Sequence, residues 1–358
     1  MRPWCPFGLA LAILLAGGCG GKIASTDAGA TPLAAPECPS QSASGTGASG
    51  TTLLATIPAA GKLVVDACNA YVVSGGSDVP SLGPGLGDVY RVALDGRGAT
   101  ALGSIAGNDF VAMDPARIYT SGQGGEGGET SPQDLVVACA KTGCQDGYTT
   151  LASGQDGIYE VAVDDSNAYW TDLTNDPQLA GVWKVPLTGG APTALVSAVQ
   201  ATEIVVADGK VFFKVESPTS PTLTNTAMAI ASLPVAGGPM STFIIPDNAE
   251  AGPLTADANN VYFATSSGGI WKLPIAGGPA AVLSMAAEYY TLLAIDDGYL
   301  YFTGSNGIDA LPITGGSVVT VIPTQDFITG LAVDASWIYW TTLMDAAGNS
   351  KVMKAPKG

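Results

Sequence analysis

The chain has 358 residues, 47% apolar and only 13% charged, with 47 Gly and 24 Pro, which is enough for a packed core and suits short strands and tight turns better than helices. A formal charge of −17 weighs against nucleic acid and anionic lipid surfaces as partners and favours cationic ligands, basic proteins or divalent ions. The complete lack of histidine excludes Ser-His-Asp and Cys-His nucleophile arrangements and His-ligated metal centres.

Taken in chain order, residues 1–18 read as an export signal: Arg2 supplies the positive charge, Phe7 to Leu15 the apolar stretch, and Ala16-Gly17-Gly18 the small residues before Cys19. The stretch is too short to span a bilayer. Leu14-Leu15-Ala16-Gly17-Gly18-Cys19 resembles the lipobox of bacterial lipoproteins, although leucine stands one position further from the cysteine than usual. The resemblance implies a diacylated Cys19 and attachment to the cell envelope, with Gly20 rather than Asp directing the protein to the outer membrane. Ordinary signal-peptidase cleavage nearby is the alternative; with either, the mature protein is exported. Residues 19–50 combine that cysteine with a linker of Ala, Ser, Thr, Gly and Pro that cannot bury enough apolar surface to fold, a tether of roughly 30 Å reach.

An even number of remaining cysteines in an exported chain favours disulfides. Cys139 and Cys144 flank a short turn and are expected to bridge it, which leaves Cys38 to pair with Cys68. A zinc half-site is the other reading of the spacing, but neither a second cysteine pair nor a histidine is available.

The body, residues 51–358, is a repeat. Seven short apolar strands each run into an aspartate, at Asp66, Asp114, Asp164, Asp208, Asp257, Asp296 and Asp334, with a mean spacing of about 45 residues, the length of a four-stranded propeller blade. An aromatic-rich second strand follows each, as in Tyr169-Trp170 and Tyr339-Trp340. A third strand then ends at paired glycines, as in Val182 to Gly190, read as a two-residue hairpin turn before a fourth strand. The last repeat stops at its third strand, while Thr51 to Ile57 reads like a fourth. These features predict an all-β fold, a seven-bladed β-propeller closed by its N-terminal strand and preceded by a disordered tether. The seven aspartates are expected to cap turns, and Lys184, Lys272 and Lys354 are expected to be solvated.

Tyr169-Trp170-Thr171-Asp172 followed by Val182-Trp-Lys-Val-Pro-Leu resembles the YWTD repeat of receptor-type propellers, and Tyr339-Trp340-Thr341-Thr342 is a close variant. Residues 51–358 as a whole are similar to uncharacterised YWTD-like propeller lipoproteins of deltaproteobacteria. The resemblance implies the fold and no particular reaction; receptor YWTD propellers have six blades, against seven repeats here. Gly122-Gln-Gly-Gly-Glu-Gly127 matches a dinucleotide-binding pattern but precedes no helix, and is a chance match.

With four antiparallel strands a, b, c and d per blade, the b–c and d–a connections share one face. The long connections are all b–c, at 74–88, 121–134, 172–181 and 216–227, so binding is expected there. On the same face, d–a positions carry acids, often beside aromatics: Asp109-Phe110, Tyr159-Glu160, Glu203, Glu250, Glu288-Tyr289 and Asp326-Phe327. Around the mouth of the channel such groups would concentrate cations, and a divalent ion such as calcium is the candidate cofactor. The reading is a non-catalytic binding or interaction platform, tied to the membrane by its lipid, with a cationic ligand, a carbohydrate or an envelope protein as partner. The alternatives are a carbohydrate-active enzyme using carboxylates alone, which needs a pair about 5–9.5 Å apart, and a structural envelope component.

Overall fold

In the computed structural model, the described residues are 50–75, 86–106, 110–124, 133–144, 147–174, 176, 178–217, 228–245, 249–285 and 292–357. The signal, the lipidation site and the tether therefore lie outside the described residues, as do Cys38, Asp109, Glu288, Tyr289 and most of three of the long b–c connections.

The strands form seven four-stranded antiparallel sheets. Six are consecutive meanders, at 60–106, 111–155, 158–197, 200–244, 251–285 and 293–323, which we number blades 1 to 6. Blade 7 takes strands a to c from Ile328–Val333, Trp337–Thr342 and Asn349–Pro356, and its outer strand d from Thr52–Pro58. Thr52 pairs with Lys354 and Pro58 with Asn349. The N-terminal strand thus closes the ring, and strand a of each blade touches strand a of the next all the way round.

Each sheet buries both faces against its neighbours, which is why strand b is an unbroken aromatic and β-branched run rather than an alternating one. In Asn167–Asp172 every residue after the first is buried, and Tyr71, Tyr119, Tyr169, Tyr262 and Tyr339 are fully enclosed. Burying each such ring contributes on the order of 2–3 kcal/mol.

The a–b turn explains the repeated aspartate. In six blades its Oδ1 accepts the amides two and three residues on, and its Oδ2 accepts a tyrosine hydroxyl five residues on. For Asp164 the donors are Ser166 N at 2.8 Å, Asn167 N at 2.7 Å and Tyr169 Oη at 2.6 Å. Burial alone would push the Asp164 carboxyl up, but these bonds together hold it below its ordinary value; burial first, and then the neighbouring carboxylate, push Tyr169 well up. Blade 4 departs from the pattern. There Ala207 pairs with Lys210 across a two-residue Asp208-Gly209 turn with φ of 45° and 68°, and the tyrosine position is Phe212, which has no hydroxyl to offer. Asp208 is therefore one register position away from the other six aspartates.

The c–d turns correct a second expectation. The paired glycines do have positive φ, as at Gly189 (81°) and Gly190 (144°), but they complete a longer connection in which Gly189 N donates to Pro186 O. The residue between, Leu187, is buried and donates its amide to Ser166 O of the a–b turn. A two-residue hairpin would leave no apolar residue to fill that space.

The lysines expected to be solvated are instead clips between blades. Lys184 Nζ donates to Val235 O at 2.6 Å, Lys272 Nζ to Ile313 O at 3.3 Å, and Lys354 Nζ, 2% exposed, to Leu94 O at 2.6 Å. Each acceptor is the c–d turn residue of the next blade. Where strand c lacks a base, the base comes from the start of strand b: Arg117 to Leu187 O, and Lys210 to Ile275 O. Arg91 reaches Lys141 O, Lys141 reaches back to Asp66, and Lys357 of blade 7 to Asp296 of blade 6, so all seven blade boundaries carry a cationic clip.

The Cys139–Cys144 disulfide is present, with Cα atoms 5.3 Å apart. Its sulfurs pack with Tyr71, Leu102 and Ile118 between blades 1 and 2, and Cys144 N donates to Leu102 O of blade 1.

Candidate functional site at the channel mouth

Because the clips take their bases to the a–b/c–d face, charge is segregated. Of the described lysines and arginines, only Lys62, Lys214 and Lys351 lie toward the b–c/d–a face. That face carries Asp88, Asp134, Asp156, Glu160, Asp172, Asp176, Glu203, Glu250, Asp326 and Asp345. The opposite face has nearly as many bases as acids.

The residue just before the register-equivalent Leu63, Val111, Val161, Ile204, Leu254, Leu293 and Leu331 of each strand a is, in blade order, Lys62, Phe110, Glu160, Glu203, Pro253, Leu292 and Gly330. One arc of the ring is thus charged and aromatic, the rest apolar or small. In five blades the a–b register slips here, at Ala60/Leu63, Ile158/Glu160, Thr202/Ile204, Ala251/Leu254 and Ile328/Gly330. Bulges of this kind re-aim side chains. Glu203 occupies one with φ +40°, an uncommon and costly conformation for a glutamate.

The charged arc is connected. Lys62 of blade 1 passes over the Phe110 ring of blade 2, 3.9 Å from its centroid, to pair with Glu160 Oε1 of blade 3 at 3.2 Å. Phe110 and Tyr159 lie with centroids 5.3 Å apart. Glu160 Oε2 accepts Ile204 N of blade 4 at 2.8 Å. Burial above all, and then the charge of Glu160, push the Glu203 carboxyl up to about 7, and it is hydrogen-bonded to Glu160.

The structure therefore brings together Phe110, Tyr159, Glu160 and Glu203, and adds Lys62, which a search for acids passed over. Glu250 and Asp326 stand apart, in the connections leading into blades 5 and 7. Glu250 N donates to Ser266 Oγ at 2.9 Å; Asp326 pairs with Lys351 at 3.1 Å beside the exposed Phe327. A second acidic group was also missed: Asp172, the last letter of the YWTD match, with Asp134, Asp156 and Asp176. Among the described residues no three His, Cys, Asp or Glu are arranged to hold a metal, and no helix is long and apolar enough to cross a membrane.

No family model and no curated protein sequence matches the chain. Among solved structures, a catalytically inactive histidine-to-alanine variant of virginiamycin B lyase from Staphylococcus aureus with quinupristin is similar at TM-score 0.59 and 11% identity, covering 83% of this chain and 95% of that one. YCF48 bound to D1 peptide is similar at TM-score 0.58 and 8% identity (85% and 95% covered). The computationally designed Ika8 protein is similar at TM-score 0.54 and 15% identity (84% and 98% covered). At such identities the likeness speaks to fold alone, and with the ring of seven sheets it defines a seven-bladed β-propeller.

Proposed function

We propose that this propeller is an exported, lipid-anchored cell-envelope protein of the bacterial YWTD-like type, and that it acts as a non-catalytic binding platform for a cationic partner on its b–c/d–a face. The observation that supports this is the charge segregation: nine of the twelve described bases, the eight clip residues and Arg97 of a c–d turn, lie on the opposite face. What remains is an acidic face with a low-dielectric aromatic and carboxylate arc at its centre, an arrangement that focuses field lines and attracts cations. The likeness to the lyase does not carry its chemistry here, because the chain has no histidine, the residue type whose replacement inactivates that enzyme.

The test is binding of a short oligolysine peptide at low and high salt. Neutralising Glu250, Asp326 and Asp345 together (to Gln, Asn and Asn) should weaken binding roughly tenfold and flatten its salt dependence. Neutralising Asp165, Asp208 and Asp297 on the other face should change it little. Equal effects from the two triple variants would defeat the proposal.

A further inference from the structure

We propose that Asp172, Asp134 and Asp156, where blades 2 and 3 meet on the acidic face, form a binding site for a divalent cation of calcium's size. Asp172 ends strand b of blade 3 and is 0% exposed. Its Oδ1 is buried without a hydrogen-bond partner, and among the described residues its Oδ2 receives one long bond, 3.4 Å, from Asp156 N. A buried carboxylate with an empty oxygen is costly unless a positive charge meets it. The neighbouring charges that act on it are those of Asp134, Asp156 and Asp176, all acidic.

The neighbours are placed by the same short segment. Asp134, on strand c of blade 2, uses Oδ2 to accept Gly157 N at 2.8 Å and Ile158 N at 3.0 Å. Asp156 Oδ2 accepts the Thr174 hydroxyl at 3.1 Å. A further oxygen comes from the backbone: a Cβ on Gly157 (φ +94°) would lie 2.8 Å from Leu173 O and 3.6 Å from Asp172 Oδ1. A carbonyl and a carboxylate oxygen thus converge where only glycine leaves room.

An all-oxygen donor set in irregular array fits calcium, which takes six to eight oxygens at variable angles; magnesium demands a regular octahedron. Since among the described residues no three carboxylates stand ready at ligating positions, the ion must draw in the exposed side chains of Asp156 and Asp176. The site is separate from the channel mouth and does not depend on the reading of the acidic face.

Calorimetry and thermal melts of the chelator-treated protein at pH 8 test this, with Ca2+ and Mg2+ as probes. We expect Ca2+ to bind with one site per chain and raise the melting temperature, with Mg2+ at least tenfold weaker. Asp172→Asn should abolish the effect. Asp156→Asn, at an exposed position where folding is not at risk, should weaken Ca2+ at least tenfold. The Glu250→Gln, Asp326→Asn, Asp345→Asn protein should keep it, so a failed oligolysine experiment leaves this result standing. Absence of Ca2+ heat and melting shift in the unaltered protein, or equal affinity in Asp156→Asn, would overturn the metal site; equal affinity for Mg2+ would overturn the assignment to calcium.

Discussion

Lys354 in the last blade donates its ammonium to the carbonyl of Leu94 in the first, 2.6 Å away, so the ring is closed by a charge as well as by the strand Thr52–Pro58. Burial holds the Lys354 ammonium below its ordinary value, and its side chain lies over the Trp337 ring at 4.3 Å. Lys354→Met keeps the stem and removes the donor, leaving Leu94 O unmatched. A loss of about 2–3 kcal/mol in denaturant unfolding is expected, the cost of a buried charge-assisted bond. Lys351→Met, which breaks only the exposed pair with Asp326, should cost less than about 1 kcal/mol. Comparable losses in the two would remove the distinction.

Stability of the chelator-treated protein should rise on mild acidification. Glu203 and Asp172 are both pushed up to about 7, mainly by burial, so the folded chain holds protons that the unfolded chain releases between the ordinary carboxylate range and about pH 7. Stability therefore falls as pH rises through that window. Asp66, Asp114, Asp164, Asp257 and Asp296 are held below the ordinary value, because hydrogen bonds outweigh burial. Their contribution is full above that value and is lost as pH falls below it. The melting temperature should peak within the ordinary carboxylate range, at about pH 4, and drop by a few degrees toward pH 8. Glu203→Gln should flatten the slope between pH 5 and 8; an unchanged slope would show that the Glu160–Glu203 proton is not held as described.

What sequence could reveal here was whatever repeats locally. The aspartate-to-tyrosine spacing, the aromatic strand and the orphan Thr51–Ile57 segment are short-range patterns, and they led to the correct blade count and closure. Blade 4 was misaligned by one position because Asp208-Gly209 imitates the repeat while making a tighter turn. The clips were illegible for a different reason. The base switches between strands c and b from blade to blade, and its acceptor is a carbonyl, which every residue has; only the fold shows that Lys184 and Val235 meet. Glu203 was visible as an acid, but its bond to Glu160 was not, since it depends on a bulge. Asp172 was visible only as part of a motif.

Export and lipidation rest on residues 1–19 and are open to a direct check. If Cys19 carries the lipid, Cys19→Ser should abolish both incorporation of labelled fatty acid and partition into detergent, while the soluble propeller melts unchanged. Labelling that persists in the variant would place the lipid elsewhere or nowhere.

Thr171 and Thr341 occupy equivalent places in blades 3 and 7, both 0% exposed, yet only one hydroxyl is matched. Thr341 Oγ1 donates to Gly61 O at 2.7 Å and lies 3.0 Å from Thr329 Oγ1, tying blade 7 to strand a of blade 1. Thr171 Oγ1 is buried with no partner. Valine has nearly the same shape as threonine, so the substitution isolates the hydroxyl. At Thr341 it removes a bond and strands a carbonyl, and should cost about 1–2 kcal/mol. At Thr171 it removes a group that was desolvated without return, and should leave stability unchanged or raise it by up to about 1 kcal/mol. Equal losses at the two sites, measured by denaturant unfolding of Thr171→Val and Thr341→Val, would mean that Thr171 has a partner in solution, most simply a bound water linking it to the backbone.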